Sequence, residues 1–289
     1  MDNSTNPSPV IIWDPEGGQF GIGDRLRGIA AGMALAEKLN GTLLFRWEAN
    51  GNCSERFEEL FRVARVSSFS HPDEISHIKN PALRMGFRLN PTPWEIYPLL
   101  QGDPNTDLFS DFEEFFGLWQ KCVQRIFPHP SIAQRIEVFA DTQLTSNTVG
   151  IHLRRTDSLN DDHRPINKEN VSLYDSALMS EIMAIRQREP DVRFFLASDH
   201  PGYFEQWISR LRQFGIDIVG YEKQWRREYR QTSSEDAVMD MFLLSRCTRI
   251  IASIESSILL FAATISGIER KLVAPKEYTP SYSRIHPTA

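Results

Sequence analysis

The chain has 289 residues, 41% of them hydrophobic and 11% aromatic, which suffices for one large core or two moderate ones and is too apolar for a disordered chain. A formal net charge of −6 argues against a broad nucleic-acid or polybasic membrane surface, so an anionic ligand must be held by a local cluster. No basic-then-apolar leader opens MDNSTNPSPVIIW, no apolar run is long enough to span a bilayer, and Cys53, Cys122 and Cys247 are too few and too scattered for a disulfide framework or a zinc site. The expectation is a soluble, cytoplasmic protein without a transmembrane segment.

In chain order, Val10 to Trp13 reads as a short strand, GGQFGIG as a glycine-rich turn, and Asp24 to Leu39 as a helix ending at Asn40-Gly41. A strand from Thr42 to Trp47 completes a βαβ unit, which implies a parallel sheet. Residues 70–110 are rich in Pro, Asn and Asp and read as loops with short helices, followed by a helical stretch over about 111–140. A second βα series opens with the strand Val149 to Leu153. It continues with a helix over 174–188, the strand RFFLASD, a helix over 203–214 and a strand over 216–220. Ser233 or Ser234 then caps a helix to about Cys247, RIIASI forms a strand, and Ser256-Ser257 opens a last helix. The alternation predicts an α/β protein of two Rossmann-type domains, 1–145 and 146–289.

Ligands of open α/β sheets bind beyond the carboxyl ends of the strands, and VGIHLRRTD places His152, Arg154, Arg155 and Asp157 there. Adjacent arginines on a strand point to opposite sides, so one can face a cleft while the other supports its wall. A guanidinium fork suits the oxygens of a diphosphate, and equally an Arg-Asp pair that fixes a loop; both readings stand open. Gly21 and Gly23 either face backbone N–H groups to a phosphate or only close a tight turn, since the spacing fits neither the dinucleotide fingerprint nor the GK[ST] loop. Asp240 can accept from a base or ribose, or face solvent. Ser256 can donate to a phosphate, or serve only as a helix cap.

Together these segments resemble the fucosyltransferase superfamily that includes α1,6-fucosyltransferases, rhizobial chitin-oligosaccharide fucosyltransferases and protein O-fucosyltransferases. GIGDRLRGIAAGMALAEKLNGTLLFRW is similar to the family's first βα unit, GIHLRRTD to its H-x-R-R-T-D motif, FFLASD to its second-domain strand and AVMDMFLLSRCTRIIASIESS to its third motif. The resemblance implies a GT-B-like fold of two Rossmann-type domains facing a cleft, the first on the acceptor side. It also implies GDP-fucose as donor, a glycan acceptor, inversion at the anomeric carbon, and no cofactor or bound metal. Carried over by position, Arg154 would hold the β-phosphate, His152 and Asp240 would contact guanosine, Ser256 would meet the phosphates, and Arg155 and Asp157 would shape the same site.

The sequence has no Asp-x-Asp pair, which separately disfavours a metal-bridged diphosphate. In SLNDDHRP, Asp162 falls where α1,6 enzymes carry a glutamate thought to act as base; the alternative is a solvated acidic turn with Asp161 and His163. Ser158 stands where those enzymes have lysine, and their cysteine-rich stem and SH3-like module are absent. Two other functions stay open: the same fold using another nucleotide sugar, and a non-catalytic module that binds a GDP-sugar or glycan. A phosphatase Arg-His-Gly signature would need histidine in place of Arg155.

Overall fold

The computed structural model describes residues 9–14, 21–78, 83–85, 93, 108–156, 166–226 and 231–275. The fold is mixed α/β with parallel sheets, and contacts divide the chain into two compact units, Met1–Ala133 and Gln134–Ala289.

In the first unit, β1 (Val10–Trp13), α1 (Ile22–Lys38) and β2 (Thr42–Arg46) form the expected βαβ unit. A Cβ at Gly28 would lie 2.9 Å from Trp13 Nε1 and one at Gly32 would lie 2.6 Å from Leu43 Cδ1, so two glycines one turn apart let α1 settle directly on the strands. Next come α2 (Phe57–Leu60), β3 (Phe61–Arg62), β4 (Val66–Phe69), a turn of 3-10 helix (Pro72–Ile75) and β5 (Leu83–Met85). Strand order is β4-β2-β1-β5, all parallel. The loop-rich reading of 70–110 is thus corrected by β5, whose pairing with β1 overrides a weak local pattern.

The single helical stretch expected over 111–140 is also corrected. It is two helices, α3 (Phe112–Val123) and α4 (Pro130–Gln143), separated by β6 (Phe127–Pro128) antiparallel to β3. Pro128 and Pro130 lack an N–H and bias the residue before each toward extended backbone, which breaks the helix. Asp111 starts α3 by accepting from Glu114 N at 2.8 Å.

The second unit runs β7 (Thr148–Leu153), α5 (Val171–Arg188), β8 (Arg193–Ser198), α6 (Pro201–Gln213), β9 (Ile218–Gly220), α7 (Ser234–Leu244), β10 (Arg249–Ala252), α8 (Ser257–Ser266) and β11 (Glu269–Leu272). These strands pair in the order β11-β10-β7-β8-β9, all parallel. Central β7 is buried at every position, and Val149, Ile151 and Leu153 pack with Leu178, Phe194 and Trp207 in one core. On β7, a Cβ at Gly150 would meet Leu244 Cδ2 at 2.8 Å, so α7 rests directly on the strand. From β7 the chain moves outward through β8 and β9, then returns to lay β10 and β11 on the other side. Connections therefore leave β7 and β10 in opposite directions, and it is at such a switch point that a crevice opens. Among the described residues no helix is long and apolar enough to cross a membrane.

Candidate functional site

His152 lies on β7 opposite Ala252 of β10, at the carboxyl edge of the switch point. Its ring is buried, with Nδ1 3.4 Å from Ser256 Oγ. Ser256 is the N-cap of α8 and accepts from Leu259 N at 3.1 Å, which sets the positive end of that helix at the same edge. Burial first, then the charges of Arg154, Lys223 and Arg155, drives His152 down to about 3, so its ring is neutral at pH 7 and offers one donor and one acceptor.

The two arginines follow the last residue of β7 and differ in burial. Arg155 is fully buried: Nη2 donates to Asp175 Oδ1 on α5 at 2.5 Å, and Nη1 donates to Ser253 Oγ at 3.0 Å and to Arg154 O at 3.1 Å. Its Cζ lies 5.5 Å from the Tyr203 ring centroid. Asp199, at the end of β8, accepts from Arg155 N at 2.6 Å and Thr156 N at 3.2 Å, while its carbonyl accepts from Thr156 Oγ1 at 2.6 Å. Arg155 and Asp199 thereby fix the turn after β7. Arg154 is half-buried beside that turn, close enough for its charge to act on His152.

A second polar centre lies within this unit. Asp240 projects from α7, and Lys223, in the segment after β9, donates to Asp240 Oδ2 and, at 2.5 Å, to Ser198 O. Both are buried, so Asp240 is not the solvent-facing acid of the alternative reading. Burial pushes the Asp240 carboxyl up to about 7 against the pull of Lys223, with Asp236 and Asp199 adding repulsion. Among the described residues Asp240 Oδ1, Asp236 Oδ2 and Asp199 Oδ2 are buried and have no hydrogen-bond partner. Buried acceptors left so cost about 1–3 kcal/mol each, a cost that a ligand carrying N–H or O–H donors would relieve.

Gly21 and Gly23 belong to the first unit. Gly21 is the N-cap of α1 with φ −72° and ψ 168°, and Gly23 is buried in the first turn. At the end of β1, Asp14 pairs with Arg46 at 3.1 Å. Asp157, Ser158, Asp161, Asp162 and His163 lie outside the described residues, as do residues 17–20 of the glycine-rich turn. Sequence reasoning missed Lys223, Asp175, Asp199 and Asp236. Asp199 carried a readable signal, a polar tip on an apolar strand, whereas nothing in YEKQW marks Lys223.

In open parallel α/β sheets ligands bind in the crevice at the switch point, beyond the carboxyl ends of the strands. By sequence, the chain matches no family model and no curated protein. Among solved structures it is similar to Bradyrhizobium NodZ α-1,6-fucosyltransferase soaked with GDP-fucose, with TM-score 0.55 and 19% identity over 90% of this chain and 93% of that one. It is also similar to POFUT1 in complex with GDP, with TM-score 0.58 and 14% identity over 93% of this chain and 99% of that one. A point mutant of Arabidopsis thaliana FUT1 in complex with GDP gives TM-score 0.57 and 13% identity over 97% of this chain and 74% of that one. At these identities the likeness is one of fold.

Proposed function

We propose that the protein is a GT-B-type glycosyltransferase that moves L-fucose from GDP-fucose to a glycan hydroxyl with inversion and without a bound metal. The observation that carries this reading is the meeting of His152, Ser256 and the Arg154-Arg155 turn at the switch point of the second sheet, in a fold similar to fucosyltransferases solved with GDP or GDP-fucose. In this reading 146–289 take the donor and 1–145 the acceptor.

Transfer breaks the bond between the anomeric carbon and the β-phosphate oxygen, so negative charge builds on GDP. Arg154 would neutralise that charge, with the N-terminus of α8 and Ser256 beside it, because fixed positive groups act most strongly where charge develops. Neutral His152 and the Asp240 carboxyl would hold the guanosine part. Arg155 would serve from behind, keeping the turn in shape through Asp175 and Ser253. Asp157 would shape the same turn. The acceptor hydroxyl attacks the anomeric carbon, and Asp162 would take its proton.

The test is release of GDP and transfer of labelled sugar from a panel of GDP- and UDP-sugars. Turnover confined to GDP-fucose supports the proposal, and turnover of a UDP-sugar alone contradicts it. Donor binding without turnover would define a binding module instead. Asp162→Asn should slow transfer by about 10²–10⁴-fold with little change in donor affinity; an unchanged rate would remove Asp162 as base.

A further inference from the structure

The segment after β9 delivers a single ammonium group into an acidic, buried edge. The Lys223 side chain is wholly buried, with its Nζ 5.6 Å from the Phe204 ring centroid and 5.4 Å from that of Trp225. Stability is a poor explanation for such a pair, since taking two charges out of water costs several kcal/mol per ion and well-packed apolar residues commonly do as well. What the pair accomplishes is orientation. One oxygen of Asp240 is clamped, and the other is buried and has no hydrogen-bond partner among the described residues.

We propose that Lys223 is a positioning residue of the nucleotide site: by clamping Asp240 Oδ2 it fixes the carboxyl group and holds Oδ1 toward N–H or O–H donors of the bound nucleotide. The inference rests on the donor-site reading above. The charged groups that act on Asp240 are Lys223 from the segment after β9, Asp236 one turn earlier on α7, and Asp199 at the end of β8. On β7, His152 is neutral, and the charges of Arg154 and Arg155 act on it together with that of Lys223. Lys223 is thus the counter-charge set against two neighbouring acids and against burial. With Lys223 pulling it down the carboxyl stands at about 7; without that charge it would hold its proton further into the alkaline range and present a donor where the nucleotide also brings donors.

Lys223→Met keeps the length and the apolar walls while removing the charge, and Lys223→Arg restores a charge. Carboxyl carbon-13 titration of the nucleotide-free protein, with the Asp240 signal assigned through Asp240→Asn, reads the clamp itself. Calorimetric titration with GDP between pH 6 and 9 reads its consequence. In Lys223→Met the Asp240 transition should rise by about one pH unit or more, and GDP affinity should fall about tenfold at pH 7 and recover toward wild type at pH 9. Lys223→Arg should retain most of the affinity. An unmoved Asp240 transition overturns the proposal, and so does a loss of affinity that is the same at every pH in a folded variant, which would assign Lys223 to packing alone. If Lys223→Met does not fold, Asp240→Asn decides: affinity about tenfold lower and flat with pH is expected, and wild-type affinity overturns the role. A wild-type protein that ignores GDP removes the donor-site reading, and the carboxyl titration still decides the clamp.

Discussion

Ser256 Oγ and His152 Nδ1 lie 3.4 Å apart across 104 residues of chain, joining the cap of α8 to the central strand β7. Ser256→Ala removes that contact and the cap together. It should cost about 0.5–2 kcal/mol of stability by urea denaturation, while Ser256→Thr, which keeps a hydroxyl acceptor, should recover most of it. Equal stability of the alanine variant and wild type would show that the cap bond contributes nothing.

Arg154 and Arg155 should separate by assay. Arg155→Met breaks a buried ion pair with Asp175 and strands Ser253, so a loss of about 3–5 kcal/mol of stability is expected. Arg154→Ala, at a half-buried position, should stay within about 0.5 kcal/mol of wild-type stability yet lose about 2.7–4 kcal/mol of transition-state stabilisation, which is roughly 10²–10³-fold in rate. Denaturation and turnover measured on both variants check this, and the reverse pattern would exchange their roles.

Stability against pH should carry opposing contributions from His152 and Asp240. His152 falls from an ordinary value of about 6.5 to about 3 on folding, so between these values the native state binds fewer protons than the unfolded one. Its contribution is complete above pH 6.5 and is lost as pH falls toward 3. Asp240 rises from an ordinary value near 3.9 to about 7, so its contribution is complete below pH 4 and is lost as pH rises through 7. Thermal unfolding between pH 4.5 and 7.5 should show His152→Gln without the acid-side loss and Asp240→Asn without the neutral-side loss. Identical pH profiles for wild type and both variants would contradict the burial of these groups.

The second unit was legible because its strands are buried on both faces and read as apolar runs, as with RFFLAS and RIIA, while serines marked the starts of α7 and α8. β11 was not legible: ERKL alternates exposed and half-buried positions, as an edge strand can, and has no apolar run to reveal it. β5 was lost for a related reason, since Leu83–Met85 carries too few residues to show a period. Within the site, His152 and Ser256 announced themselves through motif and cap, and the packing that draws them together is long-range. Lys223 could not be found from sequence. Its local segment looks like a solvated loop, and only the fold carries it to Asp240 on the next helix.

Metal dependence follows from the same groups. The sequence contains no Asp-x-Asp pair, and the proposed function gives Arg154 and the N-terminus of α8 the task of balancing a diphosphate. Saturating EDTA should therefore leave the sugar-transfer rate unchanged. A strict requirement for added manganese or magnesium would contradict that assignment.

The most direct measurement is calorimetric titration of the wild-type chain and of Arg154→Ala with GDP and with UDP. Saturable binding of GDP, much weaker binding of UDP, and a loss in the variant of about tenfold or more, ~1.4 kcal/mol, are expected. A folded wild-type protein that fails to bind GDP, or that binds the two nucleotides equally, would contradict a guanosine-diphosphate donor site at the carboxyl ends of β7 and β10.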